Sequence, residues 1–479
     1  MNHQLDPDRR RNRNRIAKMI VISIGSAILG MALLLGGCSK KSASTRWSLR
    51  QSEASAQLKS FVTEKEAQAA AAAQADGTKM LPEYRTLFAA AAKGDWSKVK
   101  NTFAALSKRA PQYEHRGPSD ERLRGVSWAA AMETYGAIEA FATGEDKYSA
   151  AFGRDIIESI PPGSIYFGGT DPGRFIITAM CKSQVHGDPF FVVTQNALAD
   201  SSYLDYLRSM YGDKIYVPTG EDSQQCFQSY LVDVQNRMKN NELKPGERAV
   251  QDAATGKLSI SGQVAVMEIN GLLAKVMFDK THDHDFYVEE SFPLDWMYPY
   301  LEPHGLIMKI NRQPLAGLSE DIVSQDRDYW TKYVTPMIGG WLNDDTPLSE
   351  VAAFVEKVHL RHDLGGFTGD PRFVQSDFSC KMFSKLRSSI AGIYVWRLDH
   401  AAGEAESERM ARAADFAFRQ AWALCPYSPE AVFRYANFLT KQKRSADAFL
   451  VASATLKLEP NNIQVRNLVA QLQQFQGAK

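Results

Sequence analysis

The chain has 479 residues, 44% of them hydrophobic and 23% charged, with a formal net charge of +1. This is ordinary composition for a chain that folds in water, and it excludes a mainly disordered, collagen-like or polytopic membrane protein. At about 150 residues per domain the length predicts roughly three units. Residues 1–37 hold Arg9, Arg10, Arg11, Arg13, Arg15 and Lys18 against Asp6 and Asp8, a net +4 that leaves −3 for the remainder. No basic field remains there for nucleic acid.

Residues 1–37 are expected to form an export signal. A basic stretch over 9–18 precedes the uncharged run Met19 to Leu35, MIVISIGSAILGMALLL, which fits a signal peptide. The run stops at Leu35-Gly36-Gly37-Cys38, and small residues before a cysteine match a bacterial lipobox, so Cys38 is the expected lipidation site. Ser39, with no aspartate after the cysteine, implies sorting to the outer membrane, facing the periplasm. The alternative is an uncleaved single-pass inner-membrane anchor, since about 17 apolar residues is the lower edge of a bilayer span. Residues 38–80, with the alanine block 69–73, predict a solvent-exposed helical tether.

Residues 81–154 form the predicted helical region. PEYRTLFAAAAKGDWSKVKNTFAALSKRAP reads as two amphipathic helices meeting at Gly94-Asp95, and a longer helical stretch from Val126 ends at Pro161-Pro162. Residues 155–315 then change character. GSIYFGGT, FFVVTQ and KIYVPT are β-branched and aromatic runs between helix-like segments; 264–279, DFYVEES and GLIMKIN extend the pattern. The fold class expected from it is α/β, with a parallel, Rossmann-like central sheet. Residues 316–379 read as an irregular, partly helical connector.

Residues 380–479 are predicted to be helical repeats of tetratricopeptide type. Pro426 and Pro460 stand 34 residues apart, each after an apolar helix. Ala414, Phe418 and Ala421 precede the first proline by the intervals at which Ala448, Ala452 and Thr455 precede the second. Small residues at that period let paired helices approach. Tyr435-Ala436 departs from the Leu-Gly the pattern prefers.

The best candidate ligand site is Gly168-Gly169-Thr170-Asp171-Pro172-Gly173-Arg174, between a predicted strand and a predicted helix. Two glycines admit backbone NH groups to an anion, Thr170 or Asp171 caps the helix, and Arg174 pairs with phosphate or carboxylate. The competing reading is a tight turn with Asp171 as cap and Arg174 in a structural ion pair. His282-Asp283-His284-Asp285 and the pair His359, His362-Asp363 read as solvated turns, since no third metal ligand is identifiable. Phe292, Trp296, Tyr298 and Tyr300 suit either stacking on sugars or core filling. Neither G-x-S-x-G nor H-E-x-x-H occurs. Cys181, Cys226, Cys380 and Cys425 form no C-x-x-C, and one or two disulfides are compatible with an oxidising compartment. No cofactor or metal is expected.

SIYFGGTDPGRF, then FFVVTQNALADSSYLDYLR, then DFYVEESFPLDWMYPYLEPHGLIMKIN, followed by helical repeats, resembles the soluble C-terminal portion of bacterial membrane proteins related to transmembrane protein 260. The likeness covers roughly residues 155–460. Relatives of that kind carry a multi-spanning glycosyltransferase of the C superfamily, and eukaryotic members look like protein O-mannosyltransferases. This chain has one apolar segment, so the resemblance implies a periplasmic appendage domain without the catalytic membrane part. The expected function is a cell-envelope lipoprotein acting as a non-catalytic protein-binding or assembly module through its C-terminal repeats. The alternative is a carbohydrate- or phosphosugar-binding protein, or an enzyme accessory to a membrane glycosyltransferase.

Overall fold

The computed structural model describes residues 53–110, 120–144, 146–169, 172–244, 246–251, 258–289 and 294–477. In chain order the helices before the first strand are α1 (Glu53–Ala75), α2 (Pro82–Ala92), α3 (Trp96–Ser107), α4 (Gly125–Thr143) and α5 (Asp146–Ser159). There follow β1 (Ile165–Gly168), α6 (Pro172–Met180), β2 (Phe191–Thr194), α7 (Ser201–Tyr211), α8 (Gly220–Asn240), the strands β3 (Arg248–Gln251) and β4 (Leu258–Ser261), and α9 (Gln263–Lys280). Then come β5 (Phe286–Val288), β6 (Leu301–His304), β7 (Ile307–Ile310), α10 (Glu320–Ile338), α11 (Leu348–Phe354) and α12 (Pro371–Gln375). The chain closes with α13 (Asp377–Asp399), α14 (Glu404–Leu424), α15 (Pro429–Lys441), α16 (Ser445–Leu458) and α17 (Ile463–Gly477). The result is a helix-rich α/β chain with a small mixed sheet, whose strands in the second unit run in the order β1-β5-β7-β6, and the separate hairpin β3-β4. Among the described residues no helix is long and apolar enough to cross a membrane. The export segment and Cys38 lie outside the described residues.

The chain divides into two compact units, Met1–Ala142 with Gly169–His284, and Thr143–Gly168 with Asp285–Lys479. In the first, α1 is helical as expected but is no exposed tether. Leu58, Phe61, Val62, Lys65, Ala69 and Ala73 are all buried, and their spacing of three or four makes one helical stripe. The alanines that suggested a solvated spacer are the small residues that let this helix lie close to its neighbours. At Gly136 on α4, a Cβ would stand 2.5 Å from the Phe175 ring, so only glycine permits that approach. The helical hairpin is α2 and α3, opened by Pro82 at the first turn and by Asp95, whose side chain accepts from Lys98 N at 3.1 Å.

One strand-like segment of this unit resolves otherwise. KIYVPT (214–219) joins no ladder: Pro218 lacks an N–H and Thr219 opens α8 through a capping box with Asp222. The apolar run 264–279 is α9, a helix whose buried Asn270 accepts from Ala199 N at 2.7 Å and donates to Asn196 O at 2.9 Å. The β3-β4 hairpin, absent from the sequence reading, packs Ala249, Leu258 and Ile260 against Tyr230, Val234 and Ala265.

In the second unit β1 pairs with β5 in parallel, Ile165 opposite Phe286. The strand β7 runs antiparallel to both β5 and β6. The expected parallel, Rossmann-like sheet is therefore corrected to a mixed one. The cause is the two-residue turn at Gly305, whose φ of +58° suits glycine and folds β6 back on β7 as a hairpin. The expected irregular connector contains α10, a 19-residue helix capped by Ser319, whose side chain accepts from Ile322 N. All six repeat-spaced residues, Ala414, Phe418, Ala421, Ala448, Ala452 and Thr455, are buried. Thr455 Oγ1 donates to Pro426 O at 2.8 Å, tying one proline turn to the next helix pair.

Cys181, Cys226, Cys380 and Cys425 are buried and free, so no disulfide joins them. Burial pushes their thiols up, Cys226 to about 11, which suits inert apolar filling rather than redox chemistry.

Candidate functional site

The loop singled out from sequence is only partly within view. Gly168 ends β1 and Gly169 follows it, both buried, whereas Thr170 and Asp171 lie outside the described residues. Arg174 on α6 is 3% exposed. Its Nη1 donates to Thr194 Oγ1, and its guanidinium lies 3.9 Å from the centre of the Phe175 ring. It therefore faces the interior of the first unit rather than an incoming anion.

Around it lies a closed polar network. Lys65 Nζ stands 2.8 Å from Glu133 Oε2, and Tyr206 Oη donates to the same oxygen at 2.6 Å. Burial works to raise the Glu133 carboxyl, yet Lys65, Arg174 and the Tyr206 hydroxyl outweigh it and hold it below the usual carboxylate range. Thr194 N donates to Tyr203 Oη at 2.6 Å, and burial lifts that phenol to about 12. Lys65 and Glu133 are 0% and 2% exposed. A network sealed in this way supplies no proton to a substrate; it holds α1, α4 and α7 together.

The histidines are equally explained by structure. His284 Nε2 meets Lys214 O at 3.1 Å on an exposed turn. His359 is buried, its Nε2 donating to Ala423 O at 3.2 Å. Among the described residues no three His, Cys, Asp or Glu side chains are grouped to hold a metal ion. Burial lowers His359 to about 4, with the Ala423 carbonyl opposing and His362 assisting. The ring is thus neutral in the fold and binds a proton more readily when unfolded. Stability contributed this way is complete above the unfolded value near 6.5 and is lost as pH falls toward 4, by at most about 3 kcal/mol. Urea unfolding at pH 6.5 and 4.5 is expected to show a larger loss for the native chain than for His359→Gln; equal losses would remove His359 as the source.

Of the aromatic group, Phe292 lies outside the described residues. Tyr298 stacks on Trp396 at 5.9 Å, and Trp296 meets Tyr300 edge-on at 6.3 Å. These rings pack on one another, half-buried, rather than presenting a flat face for a sugar.

The second unit holds an open cleft of about 500 Å³ between α10, α13, α14 and α15. Both walls carry both signs. On the α10 side stand Glu320, Asp326 and Arg327, with Asp344 and Asp345 from the following loop; on the α14 side stand Arg409, Arg412, Asp415 and Arg419, with Arg444 after α15. Arg327 Nη1 lies 3.2 Å from Asp344 Oδ2. Arg419 donates to Thr346 O and, at 3.0 Å, to Asp344 O, and pairs with Asp415 at 3.1 Å, pinning the loop to α14. Arg444 Nη1 reaches Asp415 Oδ1 at 2.7 Å.

The floor is a buried ion pair. Arg387 Nη1 and Tyr394 Oη each donate to Asp326 Oδ2 at 2.7 Å, and Arg387 Nε donates to Gln420 Oε1 at 2.8 Å. Asp326 Oδ1 accepts no hydrogen bond among the described residues, although Asp326 is 6% exposed. None of these residues stood out from sequence; Asp326 and Arg387 are 61 positions apart and belong to no motif. Nothing local marks Arg387 as buried, since Ser384, Lys385, Ser388 and Ser389 flank it in SKLRSSIAGIY. No protein-family model, curated protein or solved structure matches the chain.

Proposed function

We propose that the chain is a lipid-anchored protein of the bacterial cell envelope, held by Cys38 to the outer membrane and facing the periplasm. In this reading it acts as a non-catalytic module that binds an extended protein segment in the cleft beside its C-terminal helix pairs. The observation that carries it is the open cleft of about 500 Å³ walled by α10, α14 and α15. A cleft of this size with charged walls suits a peptide or partner loop. The 34-residue spacing of Pro426 and Pro460, with small buried residues at matching offsets, supports reading α14–α17 as tetratricopeptide-like pairs, which present such surfaces. The resemblance to the soluble portion of transmembrane protein 260 relatives supports the same view, because it implies an appendage without transfer chemistry of its own.

The anchor and the cleft are tested separately. In a bacterial host, Cys38→Ser is expected to leave an unprocessed precursor that takes up no labelled lipid; labelling of the variant would overturn the lipoprotein reading. For the cleft, random peptides are displayed against the full chain in detergent and then measured on Arg412→Glu, a side chain 74% exposed. At least tenfold weaker binding to the variant is expected. Equal binding, or no enriched peptide, would sink the cleft as the binding surface.

A further inference from the structure

The residues that follow the expected lipidation site are basic, whereas the rest of the chain is acidic. Lys40, Lys41, Arg46 and Arg50 give residues 38–52 a charge of +4 with no acid among them, which leaves −7 for residues 53–479. One part of the first unit has the opposite sign: residues 79–109, which span α2 and α3, carry a net +5.

Both helices of this hairpin are built alike. On α2, Tyr84, Leu87, Phe88 and Ala91 are buried, and Arg85, Ala89 and Lys93 form an exposed row at a spacing of four. On α3, Val99, Phe103 and Leu106 are buried, and Lys100, Ala104 and Lys108 form the matching exposed row, with Lys98 exposed as well. Alanine stands between the bases of each row, so no carboxylate interrupts either. The two acids of the hairpin are already engaged: Glu83 pairs with Arg109 at 2.9 Å, and Asp95 caps α3 by accepting from Lys98 N at 3.1 Å. Arg85, Lys93, Lys98, Lys100 and Lys108 join no ion pair among the described residues. A set of like charges without counter-charges is complementary to an anionic surface.

An acyl chain holds a protein to a bilayer without orienting it, and a basic face supplies the orientation. Fully extended, residues 38–52 span at most about 50 Å, more than the roughly 34 Å length of α1, so the hairpin lies within reach of the bilayer that holds the anchor. A bilayer containing anionic phospholipid attracts this face and repels the acidic remainder of the chain. Resting on the lipid-anchor reading, we propose that the exposed basic rows of α2 and α3 dock on the anionic phospholipid headgroups of the membrane that carries Cys38. The anchor tethers the chain, and the hairpin turns its first unit toward the bilayer.

The test reconstitutes the full chain into phosphatidylcholine vesicles with or without about a third phosphatidylglycerol. A fluorophore on Ala104→Cys, in the exposed row of α3, is quenched by brominated lipid; Cys181, Cys226, Cys380 and Cys425 are buried and stay unlabelled. Intact mass reports the lipidation of Cys38 independently. Quenching in the anionic vesicles is expected to exceed that in the neutral ones about threefold and to fall to the neutral level in about 0.5 M salt. It is expected to be lost in Lys93→Glu/Lys98→Glu/Lys100→Glu, three exposed positions whose variant is checked for folding by circular dichroism. Equal quenching in the two vesicles would overturn the proposal, with an acidic protein surface as the remaining occupant, and so would quenching unchanged by the triple variant. If mass shows acyl chains on Cys38 in that case, only the docking proposal fails. If Cys38 carries no lipid and the dye is still quenched in anionic vesicles alone, the anchor reading fails and the basic face stands.

Discussion

Replacing Glu133 with Gln is expected to cost about 3–5 kcal/mol, the penalty for leaving one partner of a buried ion pair uncompensated. Lys65 Nζ, 0% exposed, lies 2.8 Å from Glu133 Oε2 and has Tyr206 Oη and the Met210 sulfur as its other buried neighbours. With the carboxylate gone, none of these neutralises it. Water cannot reach it, so the ammonium must lose its proton or drag α1 away from α4. Chemical unfolding of the native chain, of Glu133→Gln and of the double variant Lys65→Met with Glu133→Leu separates the cost of a broken pair from the worth of an intact one. The double variant removes both charges and fills similar volume, so it should recover most of the loss. It retains a deficit of about 1–3 kcal/mol from the Tyr206 hydroxyl, which then lacks its acceptor. A Glu133→Gln loss under about 1 kcal/mol would mean that water reaches this pair.

That network also explains why α1 was misread. Alanine with scattered Gln, Glu and Lys is the composition of a solvated spacer, and only the partner on α4 reveals that Lys65 points inward. The short runs IYFG, FVVT, FYV and IMKI were legible as strands because β-branched and aromatic residues dominate them. Their directions were not legible. A fully buried strand has the same apolar pattern whether its neighbour runs parallel or antiparallel, so the hairpin turn at Gly305 decided what hydrophobicity could not. KIYVPT shows the converse: Ile215 and Val217 are buried, but burial alone makes no strand without a ladder partner.

The site followed the same division. Arg174 was expected to pair with an anionic ligand or to make a structural ion pair; it is buried against Thr194 and Phe175, and Thr194 and the nearby Glu133 come from segments that no local motif connects to it. The loop residues expected to act with it, Thr170 and Asp171, lie outside the described residues. The C-terminal helices were readable because their apolar residues recur at helical spacing within each segment. The cleft was not, because its walls come from α10 and α14 and its floor from α13, brought together only by packing.

Arg387→Met is the matching experiment in the second unit, with an expected loss of about 3–5 kcal/mol by the same reasoning. The guanidinium is 1% exposed and joins Asp326 on α10 to Gln420 on α14, while lying 5.1 Å from the centre of the Trp330 ring. Methionine of similar length keeps the apolar packing on Trp330 and deletes both hydrogen bonds, so the loss reports the polar link. Asp326 would then retain Tyr394 alone as donor for a buried charge. Arg387→Lys is expected to recover little, because an ammonium cannot address Asp326 and Gln420 in the two directions that one planar fork serves. Arg412→Ala, on the exposed wall, should stay within about 0.5 kcal/mol of the native chain. If Arg387→Met unfolds no more easily than Arg412→Ala, the floor is hydrated and the Asp326–Arg387 link adds nothing to stability.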